Sequence, residues 1–439
     1  MTVSVAPMPY RSNRHAEPLR PGARRPALQW LLSIASVDRN PPLPTEIRHR
    51  RWLPLLIAGL ATIGPFAIDT YLPSFPAMAL EMQTTEVLMQ QTLTAYLVPF
   101  AVMMLFHGAL SDAFGRRPVI LIGVGGFVLA SIGCALADSM TLLLICRAMQ
   151  GLVAGAGTSI SRAVVRDVYQ GVEAQRLLSR VMLLFSIAPA IAPIIGGWLQ
   201  TWFGWRANFW FLAAFGAVLL VACYRYLPET HPASARQRFA PAPLLAAYRL
   251  VALNPRFLLL AGVSSLSFAG FFLYVLSAPA FIYRHLGLTA HDFAWLFMAG
   301  VIGMMLGAFM SGRLAGRLTP RQTVRMGFAL MFVGVAYNNL FYIWFLPQLP
   351  WSVVHQVIVA TGMAMAMPSL TLMLLELFPH NRGMAASLQS CVQSMVAGFV
   401  AAIASPLFSA SAATMAFGGL LFALGALVLW RVYLQLRYH

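Results

Sequence analysis

Few side chains in this sequence could do chemistry, and the two that stand out are ionisable residues set inside long apolar runs. Asp69, in Ile68-Asp69-Thr70-Tyr71-Leu72-Pro73, is the only acidic residue well within such a run. Arg147, in Arg147-Ala148-Met149-Gln150-Gly151, lies at a comparable depth in another. A charge at the centre of a membrane helix costs about 2.5–3.5 kcal/mol on insertion scales, so each demands a reason. A carboxyl facing a cavity between helices can bind and release a proton at physiological pH, and a fixed cation beside it tunes that exchange. Asp69 is therefore the expected proton carrier and Arg147 its electrostatic partner. Two plainer readings compete: Asp69 as a solvated helix end ahead of Pro73, and Arg147 as an arginine reaching out to the interface.

A second constellation is the turn from Gly108 to Pro118, with Asp112, Arg116, Arg117 and the glycines Gly108 and Gly115. Such polarity between two apolar runs is costly beside hydrocarbon, so it has work to do other than solubility. A third is Ala188-Pro189-Ala190-Ile191-Ala192-Pro193-Ile194-Ile195-Gly196-Gly197-Trp198. Pro189 and Pro193 remove backbone donors from one helix face, while Gly196 and Gly197 permit close approach, which predicts a kinked helix against a counterpart. Phe271, Phe272, Tyr274 and Met365, with Tyr71 and Gln150, are candidates to line a cavity for an amphipathic compound; ordinary packing is the alternative.

Other chemistries are excluded. All 30 basic residues are arginine, and without lysine there is no Walker A phosphate loop and no Schiff base. The small-residue run Gly151–Ser159 reads as helix packing. Cys134, Cys146, Cys223 and Cys391 sit in apolar runs without ligand spacing, so they read as buried thiols, not disulfides or a metal site. No zinc-protease or nucleophile-elbow pattern occurs. The expectation is no enzyme, no metal and no cofactor.

The elements that must hold these residues are membrane helices. With 59% hydrophobic and only 10% charged residues and a mean hydropathy of +0.73, the chain belongs in a bilayer. Apolar segments long enough to cross about 30 Å number twelve: 52–72, 89–110, 118–137, 141–163, 178–200, 207–227, 256–282, 291–312, 322–345, 351–376, 384–409 and 412–433. A basic linker over 228–255 separates two halves of six, 52–227 and 256–439. Residues 1–51 are rich in proline and arginine and read as a disordered cytoplasmic tail; Arg48, Arg50 and Arg51 either set topology or touch anionic headgroups. With both termini inside, every arginine but Arg147, Arg206 and Arg284 falls on the cytoplasmic side. The net charge of +17 is thus an orientation signal, and nucleic acid is not an expected partner. A shift of 201 residues aligns Met103-Met104-Leu105 with Met304-Met305-Leu306 and Gly115-Arg116 with Gly316-Arg317, but pairs Asp112 with Arg313. Two related six-helix bundles with a cavity between them follow.

The Gly108–Pro118 turn, Arg147-x-x-Gln150-Gly151, Pro193-x-x-Gly196-Gly197, the Asp69 segment and Gly204-Trp205-Arg206-x-x-Phe209-Trp210 together resemble the Bcr/CflA branch of bacterial drug:proton antiporters in the major facilitator superfamily. The likeness covers about residues 52–433, with Ala113 and Ala192 departing from the pattern. It implies an all-α, twelve-helix, multi-pass monomer of the bacterial inner membrane, driven by the proton gradient and exporting drugs or other amphipathic compounds by alternating access. Export of an endogenous metabolite, such as a nucleoside, an amino acid derivative or a siderophore, is the alternative. It further implies that Asp112 contacts Arg116 or the inner end of the fourth span (Arg162, Arg166) and approaches Gly383-Met384-Ala385, latching the inner side shut in the outward-open state.

Overall fold

The structure, a computed structural model, describes residues 52–169, 171–236, 238–379 and 381–436; the expected amino-terminal tail, with Arg48, Arg50 and Arg51, lies outside them. The described elements are helical apart from an isolated bridge between Ala315 and Leu318. Helix α1 (Leu53–Asp69) has Pro54 in its first turn, where the missing N–H costs nothing, and ends at Asp69. A 3-10 turn (Leu72–Ser74) and the short α2 (Phe75–Glu81) follow. Next come α3 (Glu86–Met103), α4 (His107–Phe114), α5 (Arg116–Ala135), α6 (Met140–Val168), α7 (Gly171–Phe203) and α8 (Arg206–Tyr226). The carboxy-terminal part holds α9 (Pro241–Ala252), α10 (Pro255–Leu276), α11 (Phe293–Leu314), α12 (Pro320–Trp344), α13 (Trp351–Glu376), α14 (Arg382–Phe399), α15 (Ser405–Phe408) and α16 (Ala412–Gln435). Side-chain caps recur where turns meet helices: Thr85, Ser139 and Thr319 each accept the N–H three residues on.

Among the described residues eleven helices are long and apolar enough to cross a membrane, or twelve if α3 and α4 count as one. The segment 89–110, expected as one span, is two helices bent by 50°. His107 turns inward there and packs on Gly155, where a Cβ would lie only 3.0 Å from its Nδ1. The segment 228–255 is likewise not all loop, since it contains α9, which buries Leu244, Ala247, Tyr248 and Val251. Both prolines of the fifth span lie within one continuous helix, α7.

Helix α6 is the hub of the first half, packing on α1, α3 and α5, while in the second half α13 packs on α11 and α12, and α10 on α16. Small residues make this close: a Cβ on Gly157 would come 2.8 Å from the Leu60 carbonyl, and one on Gly123 2.7 Å from Ala156. Across the two halves α7 meets α11 and α3 meets α14. Outward faces carry Ile122, Leu129, Val218, Val221 and Trp344, an apolar surface suited to lipid. The four cysteines are free and buried.

Candidate functional site

Arg147 is fully buried, and the structure shows what holds a cation there. Its Nη1 donates to the Ala67 carbonyl (3.0 Å) and to Gln150 Oε1 (2.7 Å), and its Nε to the Thr92 carbonyl (3.4 Å). The guanidinium also lies 4.5 Å from the ring centre of Tyr71 and 4.6 Å from that of Tyr96. Hydrogen bonds to a charged group are worth about 1.5–3 kcal/mol each, and desolvated cation–π contacts about 2 kcal/mol, which together work against the cost of burial, although Nη2 has no partner. The network continues outward: Gln150 Nε2 donates to Ser131 Oγ (2.7 Å), which donates to the Phe127 carbonyl (2.6 Å). Thr92 Oγ1 donates to the Met89 carbonyl (2.6 Å), so the Tyr71 hydroxyl is the donor in its 2.9 Å bond to Thr92. One polar core thus ties α1, α3, α5 and α6 together.

Asp69 lies beside this core without joining it. Its side chain is buried, at 3% exposure, and its Oδ1 has no hydrogen-bond partner. Arg147, the expected electrostatic partner, makes no ion pair with it: the guanidinium takes the Ala67 carbonyl, two residues short of Asp69. The plainer reading of Asp69 as a solvated helix end is excluded by its burial. The Tyr96 hydroxyl, whose ring packs on the Arg147 guanidinium, is likewise buried and unpartnered.

The glycines of α7 close the other side. Gly196 faces the Thr70 carbonyl so tightly that a Cβ would overlap it, and Gly197 does the same to the Ala290 carbonyl just ahead of α11. One glycine pair thus seats α7 between the Asp69–Thr70 end of α1 and the second half. Pro193 is buried and Pro189 half-buried in the same helix. The Trp205-Arg206 segment buttresses this end. Trp205 Nε1 donates to Glu81 (2.7 Å), Arg206 pairs with Glu81 and Asp138, and Phe209 packs on the Tyr71 ring at 5.4 Å.

The Gly108–Pro118 segment, expected as a turn, is instead the helix α4 joined to α5 at Gly115, and it is built around Arg116, which pairs with Asp112 and with Asp167 of α6 (3.0 Å) and donates to Ser111 Oγ (2.5 Å). The Asp112–Arg116 contact is as expected; Arg162 instead donates to the Thr158 carbonyl, and Gly383 borders open space. Arg117 donates to the Tyr224 carbonyl (2.6 Å). Gly115 adopts φ +99°, and a Cβ there would strike Glu229 and Arg236. Glu229, just beyond α8, accepts the backbone N–H groups of Arg116 (3.0 Å) and Arg117 (3.3 Å), so a carboxylate 113 residues away caps α5. Gly108 is followed by open space for a Cβ.

At the end of the molecule bearing Pro73 the halves are bonded together. Tyr283 donates to the Pro73 carbonyl (2.6 Å), Gln91 to that of Ala402 (3.2 Å), and Arg284 pairs with Glu86 (3.3 Å). At the end bearing Gly115, Tyr248 of α9 donates to the Leu105 carbonyl (2.9 Å); burial pushes its phenol up to about 12, so it stays a donor.

A cavity of about 10 Å³ lies inside the second half, not between the halves, and Tyr274 lines it. Phe271, Phe272 and Met365 are buried but do not; Phe271 and Phe272 pack on Phe268 instead. Sequence reasoning missed Thr92, Tyr96 and Ser131 around Arg147, the Glu229 cap, and the polar lining of this cavity. The one available signal was Glu229, an acid directly after Pro228 at the end of an apolar run.

A family model described as Major Facilitator Superfamily matches residues 55–402, with a second match over 260–439. An uncharacterized MFS-type transporter of Bacillus subtilis (strain 168) is 34% identical over 269 residues, 61% of this chain and 67% of that protein. The bicyclomycin resistance protein homolog of Haemophilus influenzae is 28% identical over 279 residues, 64% of this chain and 70% of that protein, in keeping with the Bcr/CflA likeness. The crystal structure of a D-xylose-proton symporter superposes with a TM-score of 0.65 at 16% identity, covering 85% of this chain and 96% of that one, and so shares the fold. The chain belongs to the major facilitator superfamily, and it is a multi-pass membrane transporter of small molecules and not an enzyme.

Proposed function

We propose that this protein exports amphipathic compounds, drugs among them, across the bacterial inner membrane in exchange for protons. The observation that carries the reading is Asp69: a buried carboxyl with an unpartnered oxygen, at the seam between α1 and the Gly196–Gly197 face of α7. Such a group accepts and releases a proton with little else to rearrange. Arg147 tunes it through the field, not by direct pairing. One proton moving down about 100 mV supplies about 2.3 kcal/mol, enough for roughly a 50-fold gradient of a neutral compound. No cofactor is needed, and the chain acts as a monomer with both termini cytoplasmic.

Alternating access fits the placement of the contacts between halves. The bonded end, with Pro73, Glu86 and Arg284, is taken as the outer face, so the arrangement corresponds to an inward-facing state. Asp112 would then engage the start of α14 only after rocking to the outward-facing state, which fits the open space at Gly383. Relatives named for drug resistance support xenobiotic cargo. The test is a compound panel on everted vesicles energised by respiration: cargo collapses the pH gradient in vesicles carrying this protein and not in controls. If no compound does so while cells still extrude it, coupling runs on something other than protons.

A further inference from the structure

The cavity in the second half has a polar wall whose hydrogen-bond valences can be counted. His355 Nδ1 lies 3.0 Å from the Ser352 carbonyl, and Gln356 Nε2 lies 3.3 Å from the Phe271 carbonyl. Carbonyls only accept, so both nitrogens donate, which fixes the imidazole tautomer and the amide orientation. His355 Nε2 and Gln356 Oε1 are then acceptors, and each is buried without a partner. Asn338 Nδ2 donates to the Tyr274 hydroxyl at 2.6 Å, so that oxygen accepts and its own hydrogen remains to be given. Tyr274, Asn338, His355 and Gln356 all line the cavity, whose remaining walls, such as Leu266, Met331 and Val359, are apolar.

We propose that this cavity is a binding site for one water molecule. A water there accepts from the Tyr274 hydroxyl and donates to His355 Nε2 and Gln356 Oε1, the three bonds typical of a buried water. The volume of about 10 Å³ suits one such molecule. The water joins α10 to α13 and, through Asn338, to α12, and so stiffens the second half as a unit.

The placement matches the polar core of the first half. Tyr71 follows α1 and its ring lies against Arg147, near the start of α6. Tyr274 lies near the end of α10 with its ring 4.3 Å from that of His355, near the start of α13. Ser131 on α5 and Asn338 on α12 complete the two sets. Arg147 has its own donors to satisfy neighbouring carbonyls; His355 and Gln356 present acceptors, and water supplies the donor.

Hydroxyl-radical labelling of the full chain in nanodiscs, with radicals generated from 18O-water, tests this, because a buried side chain is oxidised only beside bound water. Tyr274, at 2% exposure, is expected to be labelled at least tenfold above its fully buried neighbour Phe281. Gln356→Met, which removes one acceptor and fills the space, is expected to abolish the Tyr274 label. Equal, background labelling of Tyr274 and Phe281 in the unaltered protein overturns the proposal, whether or not the variant folds. A histidine 15N spectrum showing His355 protonated on both nitrogens at neutral pH also overturns it, since Nε2 would then be a donor and could not accept from the proposed water.

Discussion

Gly196→Ala is the substitution that most sharply separates geometry from composition. The new methyl would lie 2.7 Å from the Thr70 carbonyl carbon and 3.2 Å from its Cα, besides overlapping the oxygen. Carbon atoms rest about 3.5–4.0 Å apart and the overlap with the oxygen is deeper still, so the end of α1 must withdraw by more than about 1 Å. Overpacking of this kind costs about 1–3 kcal/mol, and Asp69, the residue before Thr70, moves with its neighbour. A 1 Å misplacement at a reacting centre is worth up to about 100-fold in rate, which sets the expected loss of export. The assay is export from energised cells normalised to membrane abundance, with the melting midpoint of the purified protein alongside. Gly64→Ala on the same helix is the control, since a Cβ there meets nothing within 4 Å and is expected to leave both readouts unchanged. Wild-type export from Gly196→Ala at normal abundance would refute the claim that this seam positions the carboxyl.

Arg147→Gln should lower the melting midpoint clearly, because at least one of the Ala67 and Thr92 carbonyls loses its donor, at about 1–3 kcal/mol for each acceptor left unpaired. Arg147→Lys, which keeps the charge without the fork, should fall between; an unchanged midpoint in both contradicts the network. Glu229→Ala uncovers the first N–H groups of α5 at a cost of about 0.5–2 kcal/mol, and amide exchange at Arg116 and Arg117 should accelerate. Unaltered exchange there would show that the cap is not formed. Burial, with Arg284 adding to it, holds the His285 imidazole below its ordinary value. The unfolded chain then binds the extra proton first, so this stabilisation is complete above about pH 6.5 and declines on acidification. Amide protection factors over 280–289, corrected for the intrinsic pH dependence of exchange, should therefore fall between pH 7.5 and 5.5, and His285→Gln should flatten that dependence; equal slopes count against it.

What could be read from the residues alone follows from what each feature depends on. Span number and the cationic side depend on apolar run length and arginine placement, both linear properties of the chain. Arg206 and Arg284, which break the arginine pattern, are the ones the fold pairs with Glu81, Asp138 and Glu86. The bend between α3 and α4 was hidden because 89–110 has the length and average hydropathy of a single span, whereas the break sits where His107 packs on Gly155, a contact distant in sequence. Arg147 was visible as a buried cation, but two of its partners are backbone carbonyls, and carbonyls carry no sequence signature. For the same reason the sequence did not show that Arg147 turns to carbonyls and not to Asp69. Phe271, Phe272 and Met365 were chosen by type, whereas cavity lining depends on helix rotation, which runs of uniformly apolar residues do not fix.

Asp69→Asn preserves shape while removing the exchangeable proton, and compound-induced proton release in everted vesicles reads that loss directly. With normal membrane abundance and retained compound binding, the variant is expected to bind cargo and release no protons. Proton release at the wild-type rate from Asp69→Asn would contradict the assignment of Asp69 as the coupling carboxyl.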